Sequence, residues 1–352
     1  MSDAYLYGAP TWQGQFKASP ADFKVTEELA LSVTDPQLQH GEHQWLWVKK
    51  VGANTTFVAA QLAKFAGVRE RDVSFSGLKD RHAETYQWFS IQLPGKPLLP
   101  WHELQHPEFE VLQAVLQPRK LKRGTHSSNH FVLVLRDISQ PEALQHRWEQ
   151  IVAGGVPNYF GEQRFGHQQQ NLVMAQRWFN GELKRRLQRN QIGLYLSAVR
   201  SKLFNMIVSE RIKQQRLTPA IGDAMMLRGS QSFFVIEQLD DTTLERFKQG
   251  DIMVTAALPG EGQWPTQGNI AEFEQTVCAR EPELYQGLLK QRIEHMRRPI
   301  LLTLTQPQLR WLAHDTVELA FSLPRGSFAT SVLRELIGEP RQGNQAHDEV
   351  VS

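Results

Sequence analysis

One carboxylate of this sequence lies in a short run of charged residues. Asp80 follows Lys79 and precedes Arg81 and His82. Neighbouring positive charge favours the ionised form of a carboxylate, so we expect Asp80 to be an anion at neutral pH. An ionised aspartate on a loop can act as a nucleophile or as a base. The same pattern is also typical of a solvated surface, so these four residues alone do not decide between the two interpretations.

Metal and nucleotide sites are not indicated by any motif. His82 is close to Asp80, but no third or fourth ligand with suitable spacing accompanies the pair. The histidines do not pair with cysteine in a zinc-like pattern, and no His-Glu-x-x-His is present. Gly260-Glu261-Gly262 lacks the third glycine and the helix start of a dinucleotide-binding loop. We therefore expect no metal and no small-molecule cofactor.

Two predicted strands hold the Asp80 run between them. Residues 73–76 alternate apolar and polar side chains until Gly77 ends the pattern, and residues 85–93 form a second strand-like segment. Residues 77–84 are therefore predicted to form a loop between strands. Loops of this kind often carry catalytic groups.

The rest of the chain is strand-rich at both ends and helix-rich in the middle. Further strands are predicted at residues 23–27, 45–48, 131–135, 300–302 and 317–323, and helices at residues 55–66, 169–215, 270–297 and from Ser327 onward. This order predicts one α+β domain, residues 1–153 and 304–340, interrupted by an inserted domain at residues 154–303. The polar tail, residues 341–352, is predicted to be disordered.

The overall composition is that of a globular protein. Of the 352 residues, 41% are hydrophobic and 22% are charged, which excludes a mainly disordered chain. The single Cys278 cannot form an internal disulfide, and neither a signal peptide nor an apolar run of about 20 residues is present. We therefore expect a cytoplasmic protein with no membrane partner. No heptad pattern argues for more than a monomer.

Basic residues are concentrated in two clusters although the net charge is only +2. The clusters consist of Arg119, Lys120, Lys122 and Arg123, and of Lys184, Arg185, Arg186 and Arg189. Such clusters can neutralise the phosphates of a nucleic acid. A solvated face explains each of them equally well, so they favour RNA binding only slightly.

Four long segments, in this order along the chain, resemble the tRNA pseudouridine synthase D family. They are Val73–Gln87 around Asp80, Pro157–Gly166, Leu196–Asn205 and Leu323–Leu336. The resemblance extends from about Lys17 to Leu336. It implies a catalytic domain on a mixed, mostly antiparallel sheet with an inserted α/β domain. It also implies an isomerase that converts uridine to pseudouridine at tRNA position 13, with tRNA as the partner.

The resemblance assigns roles to individual residues. It places the catalytic carboxylate on Asp80, an aromatic ring beside the target base on Phe131, and further base-pocket positions on Phe23, Asn129 and Phe328. From the sequence alone the three aromatic residues would be assigned to the core. Cations matching the family segments, or lying close to them, are candidate RNA contacts: Lys17, Lys79, Arg81, Arg164 and Arg200.

Two other functions are compatible with the chemistry. A non-catalytic RNA-binding protein could keep the fold and the basic clusters, but it would have little reason to keep the whole Asp80 loop. A phosphodiester hydrolase could use Asp80 and His82, although it would normally need more carboxylates or a metal. Within the isomerase interpretation, Asp80 could attack C1′ of the ribose or remove a proton from C2′, and the sequence does not choose between these.

Overall fold

The computed structural model describes residues 3–29, 33, 40–184 and 186–338. The tail predicted to be disordered, residues 341–352, lies outside this described part. The described chain divides into two compact units. The sheet unit comprises Pro10–Val152, Leu304–Ala329 and the described residues from Leu336. The helical unit comprises Ala153–Thr303 together with residues 3–9 and Thr330–Glu335.

Strands and helices are numbered here along the chain. The strands are β1 Gln15–Phe16, β2 Phe23–Leu29, β3 His43–Val51, β4 Val73–Phe75, β5 Glu84–Gln92, β6 Phe109–Gln117, β7 His126–Arg136, β8 Val156–Pro157, β9 Ala224–Leu227, β10 Phe233–Val235, β11 Ile252–Leu258, β12 Met296–Pro299, β13 Leu301–Leu302, β14 Thr305–Ala313 and β15 Thr316–Pro324. The helices are α1 Thr55–Ala66, α2 Pro141–Gly154, α3 Gln170–Phe179, α4 Arg189–Lys213, α5 Asp241–Lys248, α6 Gly268–Cys278, α7 Pro282–Leu289 and α8 Ala329–Ile337.

A nine-stranded sheet forms the centre of the sheet unit. Its main order is β14-β15-β7-β2-β5-β3-β6, with β1 added to β7 and β4 added to β5. The β2–β5 pair is parallel, with Lys24 opposite Glu84, whereas the other described pairs in this sheet are antiparallel. The predicted α+β fold with a mixed, mostly antiparallel sheet is confirmed.

Helix α1 covers part of this sheet and has the predicted bounds. Val58, Leu62 and Ala66 recur at helical spacing and are buried. Gly67 ends the helix with a φ of 69°, a left-handed conformation that glycine adopts without a Cβ penalty. The buried face belongs to a hydrophobic core with residues of β3, β4 and β5, among them Phe89. This packing fixes the segments on either side of the Asp80 loop.

The helical unit contains a smaller antiparallel sheet in the order β10-β9-β11-β12. Helix α4, 25 residues long, contacts α3, α6, α7 and β11. A buried ion pair between Arg297 on β12 and Glu274 on α6, 2.6 Å apart, joins the sheet to a helix. None of the helices in the described part of the chain is long and apolar enough to cross a membrane.

Two predicted helical segments differ from the structure. The prediction of one helix over residues 270–297 is wrong, because these residues contain α6, α7 and the start of β12. Pro282 cannot continue a preceding helix and instead begins α7, while Arg297 pairs with Ala257 of β11 as a strand residue. Residues 169–215 are divided into α3 and α4 by a loop in which Gly181 has a φ of 74°.

Candidate active site

The predicted loop between β4 and β5 is confirmed, and its backbone is held at three points. The carbonyl of Gly77 accepts a hydrogen bond from Gln87 Nε2 at 3.1 Å. The amide of Lys79 donates to Thr55 Oγ1 at 3.0 Å. The carbonyl of Asp80 accepts from Lys50 Nζ at 2.9 Å. The loop is therefore fixed to β5, α1 and β3, which limits how far Asp80 can move.

Asp80 is held as an anion by contacts on both carboxylate oxygens. Lys17 Nζ forms an ion pair and hydrogen bond with Oδ2, and the amide of His82 donates to Oδ1 at 3.0 Å. Burial alone would raise the pKa of Asp80, but the hydrogen bond and charge of Lys17, aided by His82, lower it below its usual value. The carboxyl side chain keeps 30% of its exposure, so it remains accessible to a substrate.

The parallel β2–β5 pair explains why Lys17 and Asp80 meet. In a parallel pair both strands begin at the same edge of the sheet, and Lys17 lies before β2 while Asp80 lies before β5. Lys17 has a φ of 57°, a conformation that residues other than glycine rarely adopt. Its ammonium also lies 4.3 Å from the ring centroid of Phe23, a cation–π contact. Strained backbone of this kind often occurs at functional sites.

A buried polar cluster lies beneath the loop. Lys79 Nζ donates to Glu27 Oε1 and to Asn129 Oδ1, both at 2.9 Å. Glu27 Oε2 accepts from the amide of Trp88 at 3.2 Å. Ser76 Oγ and His126 Nδ1 are 2.5 Å apart, and His126 Nδ1 is 3.6 Å from Glu27 Oε1. Lys79 is therefore a support for the loop, with its side chain only 7% exposed.

Burial shifts the pKa values of Glu27 and His126 in this cluster. Desolvation raises the pKa of Glu27 more than Lys79 and the amide of Trp88 lower it. Desolvation, with the nearby charges of Lys79 and Arg325, lowers the pKa of His126 to about 4. His126 is thus neutral at physiological pH, which allows Ser76 to donate to its Nδ1.

Two of the three predicted base-pocket aromatics, Phe23 and Phe131, belong to a chain of buried rings beside Lys17. Phe23 and Phe131 have ring centroids 6.2 Å apart, and Phe131 stacks on Phe321 at 5.6 Å. Both predicted residues are only 6% exposed. Strand β7 extends to His126, so Asn129 and Phe131 lie on the same face of the strand. The structure therefore brings Asp80, Lys17, Lys79, Asn129, Phe23 and Phe131 together, and their roles stay predictions.

The remaining predicted residues are Phe328, Arg81, Arg164 and Arg200. Phe328 is half-buried in the turn between β15 and α8, and exposed Arg81 donates to the carbonyl of Gly52 at 3.0 Å. Arg164 and Arg200 belong to the helical unit. Arg164 donates to Ser197 Oγ at 3.2 Å, whereas Arg200 donates to two backbone carbonyls, each at 3.0 Å. Their predicted contact with RNA is not tested by these bonds.

Comparison with known proteins identifies the family. The family model described as tRNA pseudouridine synthase D (TruD) matches residues 2–185 and 170–336. The chain belongs to the tRNA pseudouridine synthase D family. A tRNA pseudouridine synthase D of Idiomarina loihiensis is 47% identical over 334 residues, 94% of each chain. Another, of Proteus mirabilis, is 43% identical over 335 residues, 95% of this chain and 94% of that one.

The fold of tRNA pseudouridine synthase D is also found among solved structures. A crystal structure from Methanosarcina mazei, described as this synthase, superposes with a TM-score of 0.73 and covers 96% of both chains. Its sequence identity is 20%, so the likeness shows the fold alone. The predictions of the family, of an isomerase and of tRNA pseudouridine synthase activity are confirmed.

Two residues of this tRNA pseudouridine synthase D site were not predicted from the sequence, although each leaves a signal there. Glu27 follows Phe23 and Val25 in the buried phase of β2, where a carboxylate is unusual. Lys50 follows Leu46 and Val48 in the buried phase of β3 and is fully buried. A charged residue at a strand position that the alternation assigns to the buried face is therefore a signal of a buried polar network. Its partners could not be read from the chain.

The prediction that no metal binds at this site stays a prediction. Within the described residues, no group of three or more His, Cys, Asp or Glu side chains is placed to hold an ion. The ammonium groups of Lys17 and Lys79 form ion pairs with the carboxylates of Asp80 and Glu27.

Proposed function

We propose that this pseudouridine synthase isomerises uridine at tRNA position 13 with Asp80 as its essential carboxylate. The observation that carries the proposal is the ion pair of Asp80 with Lys17 on a loop fixed by Lys50 and Thr55. It keeps the carboxylate charged and in place while leaving it partly exposed. A carboxylate needs to be ionised to act as a nucleophile or a base.

The reaction breaks the N1–C1′ bond of uridine, turns the uracil and joins C5 to C1′. No atom enters or leaves overall, so we propose that the enzyme needs neither a metal nor a small-molecule cofactor. Asp80 either attacks C1′ while N1 leaves, forming an ester that C5 of the uracil later displaces, or removes the C2′ proton while N1 leaves, giving a glycal. In the second route Asp80 returns the proton to C2′ when C5 adds to C1′. Both routes end with loss of the C5 proton and return of the carboxylate.

Other residues of the proposal bind the RNA substrate. Phe131, with Phe23, Asn129 and Phe328, would hold the uracil, because an unstacked base regains stacking on aromatic rings. Lys17, Lys79, Arg81, Arg164 and Arg200 are the proposed cations of the RNA site. Lys17 and Lys79 would act mainly by holding Asp80 and its loop, since their ammonium groups already contact carboxylates. We further propose that residues 154–303 are the inserted domain of a cytoplasmic monomer.

Replacement of the carboxylate tests the proposal. Asp80→Asn should lower the rate of pseudouridine formation in unmodified tRNA by about a hundredfold to ten-thousandfold, as mapped by carbodiimide-blocked primer extension. Asp72→Asn is the matched control. Asp72 directly precedes β4, the strand before the Asp80 loop, but it pairs with Arg69 at the surface. Normal conversion by Asp80→Asn would refute the assignment. Strand cleavage would identify a hydrolase, and binding without conversion by the native enzyme would identify an RNA-binding protein.

An isotope experiment separates the two routes. With deuterium at C2′ of the target uridine, removal of the C2′ proton should slow single-turnover conversion by a primary isotope effect. Attack of Asp80 at C1′ leaves the C2′–H bond intact and predicts no such slowing.

A further inference from the structure

Leu78 is an apolar side chain left in solvent two residues before Asp80. It is 67% exposed, more than any other large apolar residue described in the structure. The nearest apolar residues on either side along the loop and its strands, Phe75 and Ala83, are 9% and 0% exposed. The exposure is therefore confined to the loop that carries the carboxylate.

The loop backbone holds Leu78 in this outward position. The residues immediately before and after it are hydrogen-bonded to the fold, through the Gly77 carbonyl and the Lys79 amide. Space beneath the loop is also occupied, since a Cβ on Gly77 would lie 3.3 Å from His126 Cε1. Turning the backbone at Leu78 inward would break these contacts. Its exposure is a property of a fixed loop.

The surroundings of Leu78 suit an RNA ligand. Arg81 and His82, both exposed, follow Asp80 directly, and Lys17 lies against the carboxylate. Consecutive Cα atoms are about 3.8 Å apart, so the Cα of Leu78 lies within about 8 Å of the Cα of Asp80, two residues further along the chain. An apolar side chain on a loop that also carries an exposed arginine fits base stacks flanked by phosphates.

The reaction itself creates a place for such a side chain. Enzymes that act on a stacked nucleotide take it out of the stack, and proteins that distort nucleic acids insert apolar wedges, leucine among them, between bases. Asp80 must reach the ribose of the target uridine, so Leu78 lies close to the gap that this nucleotide leaves. We propose that Leu78 inserts into the RNA base stack beside the target uridine and holds the uridine in its extruded position.

This proposal rests on the proposed function of Asp80, so its test includes a measurement that does not need isomerisation. In the Asp80→Asn background, a tRNA with 2-aminopurine next to the target uridine should brighten on binding as the stack opens. Leu78→Ala in that background should abolish the increase. Leu98→Ala, which truncates another exposed leucine of the same unit, should leave it unchanged.

Rates with the native carboxylate provide the second measurement. Leu78→Ala should slow single-turnover conversion by about tenfold or more while tRNA affinity changes little, because the wedge acts after binding. Leu78→Met should restore most of the rate, since methionine keeps a long apolar side chain. An RNA with an abasic ribose next to the target uridine lacks one stacking partner, and it should bring Leu78→Ala close to the native rate.

Several outcomes would overturn the wedge. Native rate and fluorescence in Leu78→Ala would exclude it, and a loss of affinity alone would make Leu78 a docking contact. An equal defect on the abasic RNA, or a lower melting temperature of Leu78→Ala, would show that the leucine supports the loop. If the native enzyme converts no tRNA but the fluorescence results hold, the assigned reaction fails and the wedge remains.

Discussion

Removal of the Lys79 ammonium should strongly destabilise the sheet unit. Lys79→Met keeps the length of the side chain but leaves Glu27, whose side chain is fully buried, without its 2.9 Å partner. Removing one partner of a buried ion pair typically costs about 3–5 kcal/mol. Glu27 retains the Trp88 amide as a donor, so we expect about 3 kcal/mol in the free energy of unfolding, near the lower limit of this range.

Neutralising both partners should recover most of this loss. When Glu27→Gln is combined with Lys79→Met no buried charge is left, and the introduced carboxamide oxygen can still accept from the Trp88 amide. We expect the double variant to be about 2 kcal/mol more stable than Lys79→Met alone. Lys24→Met is the matched control, since Lys24 is 43% exposed and 3.8 Å from Glu84; it should cost less than about 1 kcal/mol.

The difference between Lys79→Met and the native protein should depend on pH. Without Lys79, burial raises the folded pKa of Glu27 further above the unfolded value. Protonated Glu27 then fits the fold, so the variant is least destabilised below the unfolded pKa and loses stability as pH rises through the folded pKa. Urea unfolding at pH 5 and pH 8, followed by tryptophan fluorescence, measures this. Additive effects of the two substitutions, or no pH dependence, would refute a charged pair.

Three further predictions concern buried titrating groups. Burial lowers the pKa of Lys50 to about 8, so folding releases a proton and the native protein gains stability as pH rises from 8 to 10.5. In urea unfolding, the free energy of unfolding of Lys50→Met should fall increasingly below that of the native protein over this range. A difference that stays constant with pH would contradict this prediction. The folded pKa of His126 is about 4, so the free energy of unfolding of the native protein should decrease by up to about 3 kcal/mol as pH falls from 6.5 to 4. The free energy of unfolding of His126→Gln should decrease less in the same denaturation series. Burial raises the pKa of the Cys278 thiol, so a disulfide reagent should modify it only after unfolding; rapid reaction in the native state would disprove its burial.

Local features of the site could be predicted from the sequence because they depend on neighbouring residues. Helix α1 has the predicted bounds, since its apolar spacing is regular and Gly67 ends it. The Asp80 loop follows from the alternation before Gly77 and after Ala83. In contrast, residues 270–297 keep helix-like spacing across the break at Pro282, and this pattern led to a wrong helix.

Long-range features of the site could not be predicted in this way. Lys17 and Asp80 are 63 residues apart, and they meet because β2 and β5 pair in parallel within an otherwise antiparallel sheet. No spacing rule in one sequence encodes that strand order. The Glu27–Lys79 pair depends on the same contact, so the partner of Glu27 could not be read from the sequence either.

The parallel β2–β5 pair also has a consequence for the order of folding. Parallel neighbours need a long crossover, and here the intervening chain includes β3, α1 and β4. Closing such a loop is slow compared with forming a local hairpin. We expect amide protection to appear early in α1 and late in β2, as measured by pulsed hydrogen exchange during refolding. A chain that has not completed this step has Asp80 but not Lys17 beside it, so RNA-modifying activity should return only with the last protected amides.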